Sequence, residues 1–254
     1  MLSLVFTQPS LSAMAGHSKW ANIKHTKARM DAKRSKVFAK IAREITIAAR
    51  LGGGDADMNP RLRLSLLKAR GANMPADNIQ RAIQRGTGEG EAAKFEELTY
   101  EVYGPHGAAI LCEISTDNRN RTAADVRAIL TRNDGKLATA GSVSRLFHRK
   151  GQIMIARENA NEDELMELVL DSGAEDFRAE EEGYEILTTP EDFEAIHKAI
   201  EEKGIAMESA EITALPEMTA QVTGQAELDK VNKLVELLED HDDVQSVYSN
   251  VEMT

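Results

Sequence analysis

The charge of this chain reverses at a glycine-rich segment in the first half of the sequence. Residues 14–86 contain 16 of the 31 lysines and arginines but only 5 of the 42 acidic residues, which gives a net charge of +11. Residues 87–254 carry a net charge of −22, and residues 1–13 carry no charge. The segment Gly86–Glu91 has the composition of a flexible linker. The reversal therefore predicts a basic domain followed by a separate, acidic part.

The basic segment predicts a polyanionic partner that contacts only one end of the protein. Lysine and arginine gain affinity for nucleic acid by releasing the cations condensed around its phosphates, so DNA or RNA is the leading candidate. The overall net charge of −11 hides this asymmetry. The linker itself is no phosphate-binding loop, because no strand precedes it and its carboxylates would repel phosphate.

Length and composition limit the alternatives. A chain of 254 residues with 42% hydrophobic residues allows two or three domains with proper cores. The single cysteine, Cys112, excludes an internal disulfide and a cysteine-based zinc site, and its apolar neighbours favour a buried side chain over a nucleophile. No stretch approaches the ~20 apolar residues of a membrane-spanning helix. We expect residues 1–13 to be a disordered or a non-native extension that lies outside the domain, and Met14 is the candidate for the true start.

Hydrophobic periodicity predicts three helices in the basic domain. The first covers residues 28–51, and Phe38, Ile41 and Ile45 belong to its apolar stripe. Pro60 begins the second helix after the cap residue Asn59. The third helix begins at Pro75 and ends at Gly86.

Helices and strands alternate after the linker, which predicts an α+β fold with two α/β domains, one inserted in the other. Residues 151–215 have the order βαββαβ of a ferredoxin-like split sheet. Residues 87–150 and 216–254 would form the second, discontinuous domain, whose strand pairing the sequence leaves open. Its strands are expected at 97–103, 108–115, 142–148, 217–223 and 244–251.

The strongest candidate site is the run of basic residues around the only tryptophan. Trp20 could stack on a base or ribose, or it could anchor an N-terminal arm on the helical domain, and the sequence supports both interpretations. Few acidic residues interrupt the cations of the first helix, which favours a face that follows phosphates. The candidate nucleic-acid contacts are Lys19, Trp20, Lys24, His25, Lys27, Lys33, Arg34, Lys36, Lys40, Arg43, Arg61 and Arg63.

A second candidate site lies where a predicted strand is followed by a predicted helix, at 116–122. Arg119 and Arg121 could bind a phosphate or a carboxylate there, close to backbone N–H groups that favour anions. Alternatively, the segment is a capped turn whose arginines form salt bridges with the acidic part. The sequence favours neither interpretation.

Sequence patterns typical of enzymes are absent. The six histidines are scattered without metal-ligand spacing, and no nucleophile-elbow motif occurs. We therefore expect a protein that is not an enzyme, with no cofactor, no metal and no small-molecule substrate. An enzyme with a composite site in a cleft between the α/β domains remains an alternative, because such sites leave no local motif.

Four long segments resemble the YebC family. They are MAGHSKWANIKHTKARMDAKRSKVFAKIAREI at 14–45, NPRLRLSLLKARGANMPADNIQRAIQRGTG at 59–88, YGPHGAAILCEISTDNRNRTAADVR at 103–127 and GSVSRLFHRKGQI at 141–153. The resemblance extends from Met14 to the end of the chain. It implies a cytoplasmic protein of three domains, a helical one and two α/β ones, without enzymatic activity or cofactor.

Members of this family are generally described as probable DNA-binding transcriptional regulators, whereas mitochondrial relatives activate translation and some bacterial ones act on the ribosome. We therefore predict a nucleic-acid-binding regulator of gene expression. A DNA-binding transcriptional regulator is the first hypothesis. A translation factor that binds ribosomal RNA or tRNA, with the ribosome or another protein as partner, is the second.

Overall fold

The structure, a computed structural model, describes residue 20, residues 34–88 and residues 95–253. These residues fall into two compact units. The composite unit consists of residues 34–88, 95–148 and 214–251, and the inserted unit consists of residues 149–213 with Trp20 and residues 252–253. Antiparallel sheets accompanied by helices confirm the α+β class. The predicted boundaries of three separate domains stay a prediction, and residues 1–13 lie outside the described part.

The helices of the described residues are α1 (Arg34–Gly52), α2 (Pro60–Gly71), α3 (Ala76–Thr87), α4 (Arg119–Arg132), α5 (Glu162–Asp171), α6 (Phe193–Glu202) and α7 (Gln225–Glu239). The strands are β1 (Glu96–Tyr103), β2 (Ala109–Thr116), β3 (Lys136–Leu137), β4 (Phe147–Ala156), β5 (Asp176–Ala179), β6 (Gly183–Thr188), β7 (Ser209–Pro216), β8 (Ala220–Val222), β9 (Val244–Ser249) and β10 (Val251–Met253). Within the described residues, no helix is long and apolar enough to span a bilayer.

Helices α1, α2 and α3 form the three-helix head of the composite unit. Their shared core consists of Ile41, Ile45, Ala48, Leu62, Ala69, Met74 and Ala82. Asn59 caps α2 as predicted, because its Oδ1 accepts the N–H of Leu62 at 3.1 Å. Its amide nitrogen also donates to the carbonyls of Ala48 and Gly53, both at 2.8 Å, and so fastens the end of α1 to the start of α2.

The composite unit also contains a four-stranded antiparallel sheet in the order β3-β1-β2-β9, whereas β8 pairs with β10 in a separate two-stranded sheet. Strand β9 follows the inserted unit in the chain, yet it pairs with β2, with Ile110 opposite Ser249 and Cys112 opposite Val247. One face of the sheet packs on α4 and α7 around Val102, Ala108, Ile110, Cys112, Ile114, Val126, Leu130, Val231, Leu234, Leu238 and Val244. The sheet is therefore discontinuous in sequence, as predicted.

The strand predicted at 142–148 was wrong. Residues 144–146 form a 3₁₀ turn, and β4 begins only at Phe147. The cause is the buried carboxylate of Glu101 on β1, which accepts the N–H groups of Gly141 at 2.6 Å, Val143 at 2.5 Å and Ser144 at 2.9 Å. Three converging bonds to one side chain bend this segment and prevent it from extending as a strand.

The inserted unit is a four-stranded sheet in the order β5-β6-β4-β7 with helices α5 and α6. This strand order, with antiparallel pairing of β6 to both β4 and β5, is that of the ferredoxin-like split sheet predicted for 151–215. The buried residues of its strands and helices are Ile153, Ile155, Ile186, Leu165, Val169, Ile196 and Ile200. Both faces of β4 are covered here, since Met154 is as fully buried as its neighbours Ile153 and Ile155, and the helical spacing of Ile196 and Ile200 places these two side chains on one inward face.

Candidate nucleic-acid interface

Seven of the twelve predicted nucleic-acid contacts lie in the described part of the chain. They are Trp20, Arg34, Lys36, Lys40, Arg43, Arg61 and Arg63. The other five, Lys19, Lys24, His25, Lys27 and Lys33, lie outside the described residues. Of the seven, Arg34 is exposed at the start of α1. The contacts of the other six within the protein, described next, bear directly on their availability to a ligand.

Trp20 is buried and does not present its ring for stacking on a base. Only 3% of the residue is exposed. Its ring lies against Gly183 of the inserted unit, so closely that a Cβ added to Gly183 would come within 2.5 Å of it. Burial of a large aromatic surface is favourable, and a glycine is what allows the ring to approach the backbone. The ring is therefore unavailable for stacking on a base, and it is anchored on the inserted unit rather than on the helical domain, as the alternative interpretation expected.

The basic face of α1 is occupied by the C-terminal end of α7. Lys36 donates to the carbonyl of Asp240 at 3.1 Å, and Lys40 donates to the carbonyl of Glu239 at 2.6 Å. Burial lowers the pKa of Lys40 to about 8, against the opposing effect of nearby carboxylates. The last carbonyls of a helix lack intrahelical partners and carry partial negative charge, so cations stabilise them. These lysines thus cap the C-terminal end of α7, and their role as nucleic-acid contacts stays a prediction.

Arg43 extends the same contact one turn further along α1. Its guanidinium donates to the carbonyls of Ser115 at 2.7 Å and Asp242 at 3.0 Å, and to the carboxylate of Asp243 at 3.1 Å. It also lies 4.9 Å from the ring centroid of Phe95. Four partners on one side chain hold Arg43 in place as a structural residue of the composite unit.

Arg61 and Arg63 on α2 are likewise engaged. Arg61 forms a bidentate salt bridge with Glu97 of β1, and this hydrogen bonding raises the pKa of the guanidinium. Arg63 donates to the carbonyls of Ala56 at 2.7 Å and Asp57 at 2.8 Å, in the connection between α1 and α2. Both side chains order the head and its junction with the sheet.

The two arginines of the second candidate site have different surroundings. Arg121 donates to Asp117 at 2.8 Å and to Asp243 at 2.9 Å, and these bonds raise its pKa. The salt-bridge interpretation is therefore correct for Arg121. Arg119 is exposed in the first turn of α4, after the cap residue Asn118, and anion binding by this side chain stays a prediction.

A pocket of about 200 Å³, which no sequence pattern indicated, lies between α1 and α3. Phe38, Ala39, Ala42 and Met74 supply its apolar surface, and Asn78, Arg81 and Arg85 supply its polar side. Both arginines are exposed, and neither lies within salt-bridge distance of a carboxylate in the described part of the chain. Their spacing of four residues could have revealed a shared face of α3, but only the packing of α3 on α1 creates the pocket.

Two features of the described part bear on the enzyme and metal-site alternatives. Burial raises the pKa of the Cys112 thiol to about 12, so this side chain stays protonated and inert. Among the described residues, no three histidine, cysteine or acidic side chains converge in a way that could hold a metal ion.

Comparison with known proteins places this architecture in a family. Residues 18–89 match the model of the TACO1/YebC protein N-terminal domain, and residues 95–251 match that of the TACO1/YebC second and third domain. The chain belongs to the TACO1/YebC family. The resemblance found in its motifs is thereby confirmed, over nearly the whole chain of this YebC-family protein.

Two relatives and one solved structure illustrate how close the similarity is. A probable transcriptional regulatory protein of Carboxydothermus hydrogenoformans is 53% identical over 243 residues, covering 94% of this chain and 99% of that protein. A probable transcriptional regulatory protein of Persephonella marina is 51% identical over 242 residues, which cover 95% of this chain and 97% of that protein. The crystal structure of a conserved hypothetical protein from Aquifex aeolicus is 44% identical with a TM-score of 0.78, covering 89% of this chain and 93% of that one.

Proposed function

We propose that this YebC-family protein is a regulator of gene expression that binds nucleic acid through its three-helix head, without catalysing a reaction. The names of its close relatives, probable transcriptional regulatory proteins, support the regulatory role. The observation that carries the binding role is the arginine pair of α3, exposed and without carboxylate partners in the described residues. Lysines and arginines of this kind bind phosphates by counterion release.

The contact face proposed from the structure differs from the one expected from the sequence. Lys36, Lys40 and Arg43 cap α7 and bind Asp243, so they contribute to stability rather than to affinity. Arg81 and Arg85 take their place as phosphate contacts, together with the basic residues at 19–33 that lie outside the described part. We propose DNA as the first ligand to test, in line with the transcriptional names of the relatives.

The test is the binding of fluorescein-labelled duplex DNA to the full-length protein across a salt series. The wild type should lose affinity steeply with salt, with a log–log slope of about −5 if roughly 5–6 phosphates are contacted. Arg81→Gln combined with Arg85→Gln should weaken binding roughly tenfold and reduce the slope by about 2.

A matched control removes the same charge elsewhere. Arg127 and Arg132 are exposed on α4, so Arg127→Gln with Arg132→Gln changes the net charge equally without touching the head. Equal losses in both double variants would mean that only net charge matters and would refute the α3 contact. A wild-type slope near zero would refute electrostatic binding altogether.

A translation factor that binds ribosomal RNA or tRNA is the second candidate. The pocket beside Arg81 and Arg85 favours it, because an apolar recess suits an unpaired base better than a closed duplex. Crosslinking in cells, followed by sequencing of both the DNA and the RNA recovered, distinguishes the two. Discrete promoter DNA that survives RNase supports transcription, whereas ribosomal RNA or tRNA that RNase removes supports translation.

A further inference from the structure

The pocket of the head has one apolar side and one side with positive charge. On one side, Phe38 and Met74 contribute an aromatic ring and a flexible thioether, with Ala39 and Ala42 leaving room between them. On the other side, Arg81 and Arg85 contribute two guanidinium groups. A volume of about 200 Å³ is smaller than the ~300–1,000 Å³ of sites that enclose a whole small molecule. The pocket therefore suits one ring system that belongs to a larger ligand.

The polar side of the pocket is arranged for an anionic ligand that also carries hydrogen-bond acceptors. Arg81 donates to the side-chain oxygen of Asn78 at 2.8 Å and to the carbonyl of Asp77 at 3.1 Å, which fixes its guanidinium without neutralising its charge. With its oxygen occupied, Asn78 keeps its amide N–H groups as donors toward the pocket. Among the described residues, Arg85 donates only to the carbonyl of Arg81, at 3.4 Å.

We propose that this pocket holds one unpaired base of a single-stranded RNA segment, with Arg81 and Arg85 on the adjoining phosphates. The proposal rests on the proposed nucleic-acid-binding function and selects its RNA-binding candidate over duplex DNA. Bases stack on aromatic side chains whatever their identity, and Phe38 provides such a surface. Asn78 donates to the edge of the base. RNA loops and bulges present splayed-out bases, whereas a paired duplex offers none to a recess of this size.

Charge complementarity selects this occupant over an apolar peptide. A peptide helix would fill the apolar side but would leave two arginines facing it without an anion, which is costly in a desolvated contact. A nucleotide satisfies both sides at once, because its base is flat and apolar on its faces and its phosphate is anionic.

The experiment measures the affinity of the full-length protein for three labelled probes. The first is an RNA hairpin with a mixed-sequence loop, the second is the blunt RNA duplex of its stem, and the third is single-stranded DNA of the loop sequence. The wild type should bind the hairpin more tightly than either of the others. Ala39→Leu fills the pocket from an exposed position of α1 without removing any core contact. It should weaken hairpin binding at least about fivefold and leave duplex binding unchanged.

Ala128→Leu is the matched control, since Ala128 is an exposed helical alanine of α4 remote in sequence from the pocket residues. It should leave all three affinities unchanged. Equal wild-type affinity for the hairpin and for either of the other probes would overturn the pocket proposal. So would hairpin binding that Ala39→Leu does not alter. In both cases the proposed function would stand, because binding itself persists. Failure of the wild type to bind any of the probes or duplex DNA would instead overturn the proposed function.

Discussion

Arg43 donates a hydrogen bond to Asp243 at 3.1 Å, although 200 positions separate the two residues in the chain. The same carboxylate accepts hydrogen bonds from Arg121 at 2.9 Å, Thr122 at 2.7 Å and Thr116 at 3.1 Å. Asp243 thereby joins α1, α4 and β2 to the turn before β9. One acidic residue near the end of the chain thus ties the basic head to the sheet.

Asp243→Asn should lower the free energy of unfolding by about 2–4 kcal/mol, because two arginines would lose a buried charged partner. Only 4% of Asp243 is exposed, so water cannot easily replace the lost bonds. Chemical denaturation followed by circular dichroism measures the loss. Asp242→Asn is the control, since Asp242 is exposed and contacts Arg43 only through its carbonyl. A loss below about 0.5 kcal/mol in Asp243→Asn would show that Asp243 is not the link.

The acid stability of the protein should depend on the same residue. Burial alone would raise the pKa of Asp243, but hydrogen bonds from Arg121, Thr122 and Thr116 outweigh it and lower the pKa from 3.8 to about 2. The ionised form therefore stabilises the folded state fully above pH ~4, and this contribution is lost as the pH falls through about 2. The wild type should lose stability more steeply than Asp243→Asn between pH 4 and 2. Parallel curves for the two proteins would contradict this.

Neutralising the lysines that cap α7 should leave nucleic-acid affinity nearly unchanged. Lys36→Gln with Lys40→Gln removes two positive charges from the head, but both side chains donate to carbonyls of Glu239 and Asp240. We expect a change of less than about twofold in duplex affinity and a loss of stability below about 1 kcal/mol. Anisotropy titrations beside the Arg81→Gln, Arg85→Gln variant provide the comparison. A larger loss of affinity for the lysine variant would show that Lys36 and Lys40 contact nucleic acid, as the sequence predicted.

Gly183→Ala should disturb the burial of Trp20. The added Cβ would approach the tryptophan ring to 2.5 Å and the carbonyl of Ile155 to 2.2 Å, so the ring must move. Because Trp20 is the only tryptophan of the chain, its emission should shift to longer wavelength as the ring becomes exposed. We expect a cost of about 1–3 kcal/mol in stability. Gly224→Ala, where nothing lies within 4 Å, should leave the emission unchanged. An unshifted spectrum for Gly183→Ala would contradict the contact.

Glu101→Gln should loosen the turn at 141–144. Burial would raise the pKa of Glu101, but hydrogen bonds from the backbone of Gly141, Ser144 and Val143 outweigh it and lower the pKa. An amide accepts these N–H groups more weakly and adds a donor that has no acceptor there, so we expect a loss of about 1–3 kcal/mol. Hydrogen exchange should accelerate at these amides. Glu96→Gln, at an exposed position of β1, should leave the exchange rates as they are.

Sequence patterns predicted the secondary structure correctly where interactions between residues close in the chain determine it. The cap at Asn59 and the proline that follows it predicted the start of α2, and the βαββαβ order predicted the inserted sheet. The strand expected at 142–148 failed because its conformation depends on a carboxylate some forty residues earlier. Trp20 was undecided for the same reason, since Gly183 lies far from it in sequence.

The sequence by itself determined that the protein has a basic helical head, an acidic α/β part and the motifs of its family. It could do so because local charge, hydrophobic periodicity and helix caps depend on residues that are close together in the chain. Only the tertiary structure decided which cations remain available to a ligand. Lys36, Lys40 and Arg43 meet helix carbonyls and Asp243 from the end of the chain, whereas Arg81 and Arg85 meet no carboxylate in the described residues. Which cation meets which carbonyl or carboxylate depends on the distances between side chains in the folded protein. The order of residues alone does not give these distances.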